Sequence, residues 1–429
     1  MRFKEAILWL SQFEFHGIRP GLSRIYQLLK KLGHPEKKIL AVHLAGTNGK
    51  GSTAAFLESI LRNHGLKTGL YTSPHLASIC ERFIIAGKPV SEEKFASYCQ
   101  RIKKALKDSP ATYFEITTAL AFLLFAEEKV EIAIVECGLG GRLDATNLIL
   151  PELAIITNIG LDHQSYLGHT LEKIAWEKAG ILKRKRPLVL GKTPSPARNV
   201  IFTRAERLQC PVFEYESDFK IIPTKDGLFY LGEHTFKGLN PSLRGSFQRH
   251  NLALALKGSE ILAQKGIFSL KEEKVKKAVS STSWPGRFEI LKTNPPLILD
   301  GAHNPDGIEA LITCICEEKI VPFNLIFAAS DEGGTKPFYQ MLQKLLPFAQ
   351  KVFLCEPQGP RRPVTIAQWQ KWLEKEKPEE GCFFLLKDPF EALKEALKEE
   401  LPVLVTGSLY LVGTIRKKIR EKGEAAVLL

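Results

Sequence analysis

The segment best suited to chemistry is Ala-Gly-Thr-Asn-Gly-Lys-Gly-Ser-Thr, residues 45–53, which lies between an apolar run and a helix-like stretch. In such a position glycines let backbone N–H groups approach phosphate oxygens, and the amino end of the helix adds partial positive charge. Lys50 could bridge the β- and γ-phosphates of a nucleotide. The segment departs from the Walker A pattern, because Leu44 replaces the first glycine and Gly51 follows the lysine. We predict a variant phosphate-binding loop, the alternative being a tight turn without a ligand.

Oxygen and nitrogen ligands for a metal ion follow the predicted strands. Ser52 on the loop and Ser73 after the next strand offer hydroxyl groups, Glu136 offers a carboxylate, and His163 offers an imidazole. Ligands gather at the carboxyl ends of strands in open α/β sheets, and magnesium prefers hard oxygen ligands, so His163 would be an unusual partner. Taken singly, a Glu or His at a strand end is more often a structural hydrogen-bonding group. The residues alone leave both interpretations open.

An alternation of strands and helices must position these groups. Residues 38–45 form a short β-branched run, and a helix follows the loop and ends near Gly65. Ser91 is a good N-cap for another helix. Alternating strands and helices predict a parallel sheet covered on both faces. The further predicted strands lie at residues 67–73, 131–138, 153–160 and 186–191.

The second half of the chain changes its pattern twice. Residues 212–237 alternate with period two around a Lys-Asp-Gly turn, which predicts an antiparallel hairpin or small side sheet. A helix is predicted from Phe247 to about Gln264. The turn-rich stretch 281–289 then precedes new apolar strands, each alternating with a helix. We predict an N-terminal P-loop-type ATPase domain with a parallel sheet and a small antiparallel side sheet (1–284), and a smaller C-terminal Rossmann-like α/β domain (285–429).

Composition bounds the class of protein. A chain of 429 residues with 44% hydrophobic and 25% charged residues excludes a single small module and a disordered chain. No apolar run approaches the roughly 20 residues needed to cross a bilayer, and we expect a cytoplasmic protein. The eight cysteines are scattered and are expected to be buried reduced thiols. The net charge of +13 is compatible with nucleic acid, a membrane surface or polyanionic substrates as binding partners, and it does not distinguish among these three classes.

The loop resembles the nucleotide loop of the Mur ligase superfamily, and Gly-Thr-Asn-Gly-Lys-Gly-Ser resembles that of its folate branch, the folylpolyglutamate and dihydrofolate synthases. Further blocks resemble the same family in order over nearly the whole chain. The resemblance implies an ATP-dependent amide ligase that phosphorylates a carboxylate to an acyl phosphate, joins L-glutamate to dihydropteroate and extends tetrahydrofolates with glutamate. The blocks are YTSPHL (71–76), TYFE (112–115), ECGLGGRLDATN (136–147), LDHQ (161–164), EKAGI (177–181), WPGRFE (284–289), DGAHNP (300–305) and TGSLYLVG (406–413).

The resemblance also implies roles for single residues in nucleotide and metal binding. Lys178 would, from its spacing alone, be a lysine on a helix surface. In the family the matching lysine is carbamylated by CO₂, and the carbamate helps to hold a second magnesium ion. The reaction with CO₂ requires a neutral amine. The family's metal ligands fall on Ser73, Glu136 and His163, besides the hydroxyl of Ser52. The nucleotide matches are Thr47, Asn48, Gly49, Lys50, Gly51, Ser52, Asn251 on the adenine side, Arg287 for phosphate charge and Asp300 for the ribose.

The acceptor substrates are assigned in the same way. Phe114 could stack on a flat heterocycle, although core packing is the alternative, and Asp144 could accept hydrogen bonds from ring N–H groups. His303, a third candidate catalytic residue beside Lys50 and Lys178, and Ser408 would face the incoming glutamate. Residues 330–338 and 361–363 resemble the family only loosely, which leaves the role of Lys336 open. The implied pterin pocket comprises Arg19, Pro20, Gly21, Leu22, Thr112, Tyr113, Phe114, Glu115, Leu143, Asp144 and Ala145.

Three alternatives remain beside the bifunctional ligase. A monofunctional folylpolyglutamate synthase would lack dihydropteroate activity, although the turn Gly-Arg-Leu-Asp-Ala-Thr-Asn favours both activities. Another Mur-type amino-acid ligase is disfavoured by Gly51 and by the pterin-side blocks. A P-loop ATPase switch or nucleic-acid-binding protein is disfavoured because no Walker B-like run follows and no basic-aromatic face is seen. We expect a monomer with ATP, two magnesium ions and no nucleic-acid or membrane partner.

Overall fold

The computed structural model describes residues 1–14, 17, 19–107, 109–291, 293–330, 338–359, 362–376 and 382–422. The chain divides into two compact units. The first comprises Met1–His75, Ile79–Ser242 and Gln248–Ser283, and the second comprises Leu76–Ser78, Leu243–Phe247 and the chain from Trp284 onward. Within the described residues, no helix combines the length and apolar character needed to cross a membrane.

The first unit contains helices and strands in mixed order. Its helices are α1 (Phe3–Ser11), α2 (Ser23–Lys31), α3 (Lys50–Asn63), α4 (Glu92–Leu106), α5 (Tyr113–Glu127), α6 (Gln164–Leu167), α7 (Leu171–Ala179), α8 (Ser195–Arg207), α9 (Phe247–Gln264) and α10 (Glu272–Ser281). Its strands are β1 (Ala41–Ala45), β2 (Thr68–Tyr71), β3 (Phe83–Ile85), β4 (Lys88–Pro89), β5 (Ile132–Glu136), β6 (Leu153–Ile156), β7 (Leu188–Leu190), β8 (Val212–Glu214), β9 (Lys220–Thr224), β10 (Gly227–Leu231) and β11 (Thr235–Leu239). Short 3₁₀ helices span Pro35–Lys38, Ile79–Arg82 and Ala145–Leu148.

The main sheet of the first unit has eight strands in the order β4-β3-β2-β5-β1-β6-β7-β8. From β2 to β8 all neighbours pair in parallel, and β3 and β4 are antiparallel additions at one edge. Strands β1, β5 and β6 are buried along their whole length, as expected for a parallel sheet covered on both faces. The predicted parallel sheet is confirmed, and the carboxyl ends of β1, β2, β5 and β6 lie at one edge.

The strand at Val212–Glu214 corrects the prediction for residues 212–237. It pairs in parallel with β7, with Val212 opposite Leu188, and forms the edge of the main sheet. The antiparallel sheet has three strands, β9 to β11, and begins only at Lys220. The predicted turn between β9 and β10 is present. All three residues of β8 are half-buried. The alternating sequence pattern is compatible with an edge strand of a parallel sheet and with a hairpin strand, and could not distinguish between them.

The second unit holds a smaller sheet of six strands, in the order β12-β13-β17-β14-β15-β16. Only the pairing of β12 with β13 is antiparallel. The predicted α/β fold is confirmed, with β12 as an edge strand that the sequence had not predicted. The strands are β12 (Glu289–Leu291), β13 (Leu297–Leu299), β14 (Phe323–Phe327), β15 (Ala349–Leu354), β16 (Phe383–Leu385) and β17 (Val403–Thr406). The helices are α11 (Pro305–Glu317), α12 (Phe338–Leu345), α13 (Ile366–Glu376), α14 (Pro389–Ala396) and α15 (Leu409–Lys422).

All eight cysteines are free thiols, and six of them are buried. Cys316 is exposed and Cys382 is partly exposed, so the expectation of buried thiols is wrong at these two positions. Cys316 occupies the solvent side of α11, whereas Cys314, two residues earlier, faces the core.

Candidate active site

The glycine-rich loop connects β1 to α3 and is shorter than predicted, because the helix begins at Lys50 rather than after Ser52. Gly49 is the N-cap, with a φ of 82°. A Cβ atom at Gly46 would lie 1.9 Å from Thr157 Oγ1, and one at Gly49 would lie 2.3 Å from Asn251 Oδ1. Both positions therefore require glycine for space as well as for backbone conformation. Lys50 lies in the first helical turn, where backbone N–H groups have no partner within the helix.

Residues that follow β6 hold the loop in place. The N–H groups of Thr47 and Asn48 donate to Asn158 Oδ1 over 3.1 and 2.9 Å. Thr157 Oγ1 donates to the carbonyl of Asn48 over 2.6 Å, and Thr47 Oγ1 donates to the carbonyl of Gly160 over 3.1 Å. Asn158 therefore binds the N–H groups of Thr47 and Asn48, and those in the first turn of α3 are the candidate donors to a bound anion. Sequence reasoning missed Asn158, although it lies just before the block at 161–164.

Two lysine ammonium groups converge on one carbonyl of the loop. Lys50 Nζ donates to Gly46 O over 2.9 Å and to Thr47 O over 3.1 Å. Lys178 Nζ donates to the same Gly46 O over 2.8 Å. Burial, followed by the nearby charge of Lys50, lowers the pKa of Lys178 from 10.5 to about 7.

The burial of Lys178 overturns the prediction, made from its spacing alone, of a lysine on a helix surface. Only 4% of its surface is exposed. On α7 the buried positions are Ile174, Ala175, Lys178 and Ala179, which recur with helical spacing. This pattern was the available signal: Lys178 continues the apolar face set by Ile174 and Ala175.

A carboxylate and a serine lie beside the lysines. Glu136, the last residue of β5, has Oε1 4.0 Å from Lys50 Nζ, and its Oε2 accepts the N–H of Ser73 over 3.3 Å. His163 follows β6 and is the N-cap of α6, with its N–H donating to Asp162 Oδ1 over 2.9 Å. Within the described part of the chain, no group of three or more His, Cys, Asp or Glu residues could hold a metal ion. A metal site built on Glu136 would thus depend on hydroxyl groups, water and substrate oxygens.

The start of α9 contacts the loop through two carboxamides. Gln248 Nε2 donates to Ser52 Oγ over 3.3 Å, and Asn251 Nδ2 donates to Gln248 Oε1 over 2.9 Å. Gln248 is fully buried, and sequence reasoning named only Asn251 from this helix. Asn251 also contacts Gly49. The structure thus brings Asn251 against Gly49 at the start of α3, and its predicted role on the adenine side stays a prediction.

The three segments assigned to a heterocycle come together. Gly21 N–H donates to Leu143 O over 3.5 Å, which joins the loop before α2 to the turn after β5. Arg24 Nε lies 3.0 Å from Glu115 Oε1, and its guanidinium also donates to the carbonyl of Arg19. Arg24 therefore ties residues 19–22 to the start of α5, a link that sequence reasoning missed. The exposed residues among the segments are Arg19 and Pro20, and the partly exposed ones are Gly21, Leu22, Tyr113, Phe114 and Leu143.

Several of these assigned residues also build the local backbone. Thr112 and Glu115 form a capping box at the start of α5, with bonds of 3.2 and 2.7 Å. Phe114 is half-buried, with its ring 6.1 Å from that of Tyr71. Asp144 is buried and caps the 3₁₀ helix that begins at Ala145, and burial raises the pKa of its carboxyl group. Their contacts with a substrate stay predictions.

The turn after β5 is fastened to the helix that carries Lys178. Arg142 Nη2 lies 2.8 Å from Glu177 Oε1, and the N–H of Arg142 donates to Glu177 O over 2.7 Å. Asn147 Nδ2 donates to Gly180 O over 3.2 Å. Hydrogen bonds from Arg142 and Asn147 therefore hold this turn against the carboxyl-terminal end of α7, where Lys178 lies.

In the second unit the candidate residues lie at the ends of two paired strands. Asp300 follows β13, and its carboxylate accepts the N–H groups of Phe288 and Ala302 over 2.7 and 2.8 Å. His303 Nδ1 lies 2.8 Å from the carbonyl of Gly301 and must donate to it. Ser408 follows β17 and is buried, with its Oγ accepting the N–H of Tyr410 over 3.2 Å. Burial raises the pKa of Asp300, while the charge of Arg287 opposes the shift. Lys336 and Arg361 lie outside the described residues.

Comparison with known proteins agrees with this arrangement. Residues 44–256 match the Mur ligase middle domain, and residues 286–409 match the Mur ligase glutamate ligase domain. These two domains in this order define a Mur ligase, an ATP-dependent ligase.

Full-length relatives narrow the class. A dihydrofolate synthase/folylpolyglutamate synthase of Bacillus subtilis is 37% identical, over 97% of this chain and 99% of the relative. A folylpolyglutamate synthase of Lacticaseibacillus casei is 30% identical over 98% of this chain and 99% of the relative. A Mycobacterium tuberculosis folylpolyglutamate synthase in complex with ADP superposes with a TM-score of 0.87 at 29% identity, covering 97% of this chain and 98% of that chain. The chain therefore belongs to the folylpolyglutamate and dihydrofolate synthase family, and the predicted resemblance is confirmed.

Proposed function

We propose that this protein uses ATP to join L-glutamate to dihydropteroate and to add further glutamates to tetrahydrofolates. The observation that carries the proposal is the cluster at the edge of the parallel sheet, where Lys50 and Lys178 bind Gly46 O beside Glu136. The Bacillus subtilis relative, whose name carries both activities, supports it.

The chemistry follows from the weakness of a carboxylate as an electrophile. Transfer of the γ-phosphoryl group of ATP to the substrate carboxylate gives an acyl phosphate, which the amine of glutamate then attacks with loss of phosphate. The transfer brings two anions together, so positive charge at the loop must stabilise the transition state. We assign the binding of phosphate oxygens to Lys50 and to the N–H groups in the first turn of α3. The residues assigned to the nucleotide are Thr47, Asn48, Gly49, Lys50, Gly51, Ser52, Asn251, Arg287 and Asp300.

We also assign metal ligands to the first unit. The adjacent Ser73 and Glu136 offer the hard oxygen atoms that magnesium prefers. We propose that two magnesium ions are held by Ser52, Ser73, Glu136, His163 and a carbamate on Lys178, and that these ions neutralise charge between the two anions.

The state of Lys178 supports the carbamate. A pKa of about 7 leaves a substantial share of neutral amine at neutral pH, and the neutral nitrogen attacks CO₂ with loss of a proton. Modification would replace one of two neighbouring ammonium groups by an anion, so that repulsion from Lys50 becomes attraction.

The substrate sites are assigned to separate parts of the chain. We propose that residues 1–284 bind the heterocycle, with Phe114 stacking and Asp144 accepting N–H bonds, and carry all the assigned nucleotide residues except Arg287 and Asp300. We assign glutamate to His303 and Ser408, in residues 285–429. The contacts that join residues 19–22 to residue 143 and to the start of α5 support one site for the ring of dihydropteroate. We further propose a cytoplasmic monomer that works without nucleic acid, which gel filtration and phosphate-release assays with and without nucleic acid can check.

Mass spectrometry of the products is the decisive test. With ATP, glutamate and dihydropteroate, we expect a product heavier by one glutamyl residue, and with tetrahydrofolate a series of such additions. Lys50→Ala is the matched control for contaminating activity. ATP hydrolysis without either product would contradict the proposal. Products from tetrahydrofolate alone would instead support a folylpolyglutamate synthase, the single activity named for the Lacticaseibacillus casei relative.

A further inference from the structure

A buried polar cluster with no assigned role lies beneath the turn that carries Asp144. His43 is in the middle of β1, Cys137 follows β5, and Thr146 lies in the 3₁₀ helix after the turn. His43 and Thr146 have 0% exposure. His43 Nε2 lies 2.8 Å from Thr146 Oγ1 and 3.1 Å from Cys137 Sγ. Thr146 Oγ1 lies 2.5 Å from Asp144 Oδ1. A chain of hydrogen bonds therefore runs from the central strand to Asp144.

Counting protons shows which group donates in each of these hydrogen bonds. A separation of 2.5 Å is typical of a hydroxyl group that donates to a carboxylate, so the single hydroxyl proton of Thr146 points to Asp144. The oxygen of Thr146 must then accept, and His43 Nε2 must carry a proton and donate it. Burial lowers the pKa of His43 to about 3, so the ring is neutral and its Nδ1 atom carries no proton.

Packing alone does not explain a histidine at this position. Among the residues that the structure describes, none forms a hydrogen bond with His43 Nδ1. A buried polar atom without a partner costs free energy, and leucine would fill a similar volume without that cost. The opposite tautomer would place an unpaired N–H donor at Nδ1 and would remove the donor to Thr146. The surroundings therefore fix His43 as a hydrogen-bond donor at Nε2.

The hydrogen bond from His43 to Thr146 influences the carboxylate of Asp144. Its Oδ1 accepts both the hydroxyl and the N–H of Thr146, the latter over 3.0 Å, and its Oδ2 accepts the N–H of Leu139 over 2.8 Å. Every one of these local partners donates, so the carboxylate is fixed in orientation and can only accept from a ligand. Because Oδ1 already accepts two hydrogen bonds, the oxygen suited to an N–H group on the edge of a flat ring is Oδ2.

We propose that His43 is a positioning residue for substrate recognition: acting through Thr146, it fixes Asp144 as an acceptor and selects heterocycles whose edge presents N–H donors. The inference rests on the proposed function, because it takes Asp144 to meet the ring of the substrate. It assigns a role in the ligase reaction to a residue that lies beneath the site and does not touch the substrate.

The test compares His43→Leu with His43→Gln. The glutamine amide can donate from the place of Nε2, whereas leucine cannot. For His43→Leu we expect the KM for dihydropteroate to rise about tenfold, the effect of losing one well-placed hydrogen bond. We expect kcat and the KM values for ATP and glutamate to stay within about twofold, because the loss acts on ground-state binding of the ring. His43→Gln should restore the KM to within about threefold of the wild type.

A ligand without the ring separates recognition from general damage. The inhibition constant of 4-(methylamino)benzoate, which keeps the carboxylate and lacks the heterocycle, should be the same in the wild type and both variants. Equal KM values for dihydropteroate in all three proteins would overturn the proposal. So would a fall in kcat with a rise in every KM, since that pattern indicates a structural role. If His43→Leu does not fold, Thr146→Val against Thr146→Ser makes the same comparison.

Failure of the proposed function is recognised separately. If the wild type does not ligate glutamate to dihydropteroate, that assignment fails, and calorimetric titration with pteroate still tests His43. The proposal then requires weaker pteroate binding by His43→Leu than by His43→Gln, and equal binding would overturn it.

Discussion

Replacing Lys178 by methionine should make the protein more stable at pH 6 while removing its activity. Lys178 is 4% exposed, and its ammonium group shares Gly46 O with that of Lys50. Its pKa falls from 10.5 to about 7 on folding. This lowering of the pKa by about 3.5 means that folding destabilises the charged form of Lys178, relative to the neutral form, by roughly 5 kcal/mol. Methionine fills a similar volume without charge, and Gly46 O keeps its hydrogen bond from Lys50.

The pH dependence has a definite sign. The pKa of Lys178 is lower in the folded protein than in the unfolded chain, so between pH 7 and 10.5 the unfolded chain binds a proton that the folded protein does not. The destabilisation is therefore complete below pH 7 and is relieved as the pH rises to 10.5. After subtracting about 1 kcal/mol for the lost hydrogen bond, the variant should gain about 4 kcal/mol at pH 6 and about 1 kcal/mol at pH 9.

Urea denaturation in CO₂-free buffers at pH 6 and pH 9 measures this difference. Lys173→Met is the matched control, because Lys173 lies on the same helix and is exposed; it should change stability by less than about 0.5 kcal/mol. A Lys178→Met protein less stable than the wild type at pH 6 would refute the buried ammonium group. So would a gain that does not shrink with pH.

The same variant tests the proposed modification. With ¹³C-bicarbonate, the wild type should show a carbamate resonance that Lys178→Met lacks, and turnover should be lost in the variant. An unmodified Lys178 in the wild type with nucleotide and magnesium bound would contradict the carbamate while leaving the stability prediction intact.

Three further predictions follow from the site. Lys50→Ala should lower kcat about 100-fold or more, since loss of a preorganised donor to the transferred phosphoryl group costs about 3 kcal/mol; near-normal initial rates would reject the loop assignment. Asp144→Ala should raise the KM for dihydropteroate more than that for tetrahydrofolate. Each ring donor left unpaired costs about 1 to 3 kcal/mol, and tetrahydrofolate, which must bring its terminal glutamate to the phosphate, cannot keep its ring beside Asp144; equal increases would indicate one shared ring position. His75 and His250, whose pKa values burial also lowers, destabilise the wild type and the His43 variants alike below pH 6.5. His43 by itself should lower the free energy of unfolding of the wild type by about 1.4 kcal/mol per pH unit below pH 6.5, because its pKa is about 3 in the folded state and only the unfolded chain is protonated there. His43→Leu should lack this loss, giving a difference of about 2 kcal/mol at pH 5 in urea titrations, and parallel curves would contradict it.

Local patterns predicted much of the fold. The helix predicted from Phe247 to about Gln264 has those bounds in the structure, and Ser91 caps α4 by accepting the N–H of Lys94 as expected. These features depend on neighbours within a few residues along the chain, which the sequence displays directly. The β8 strand was assigned to the wrong sheet because the choice between two sheets depends on distant partners.

Within the site, the sequence by itself determined which chemical groups are available. The strand, loop and helix around Lys50, the hydroxyl and carboxylate groups at strand ends, and the blocks of the family were all visible in order. Tertiary structure alone decided the environment of those groups. It buried Lys178 beside Lys50, placed Asn158 and Gln248 against the loop, and linked His43 to Asp144. The physical reason is that charge, tautomer and pKa depend on desolvation and on partners more than 80 residues away, which local spacing does not encode.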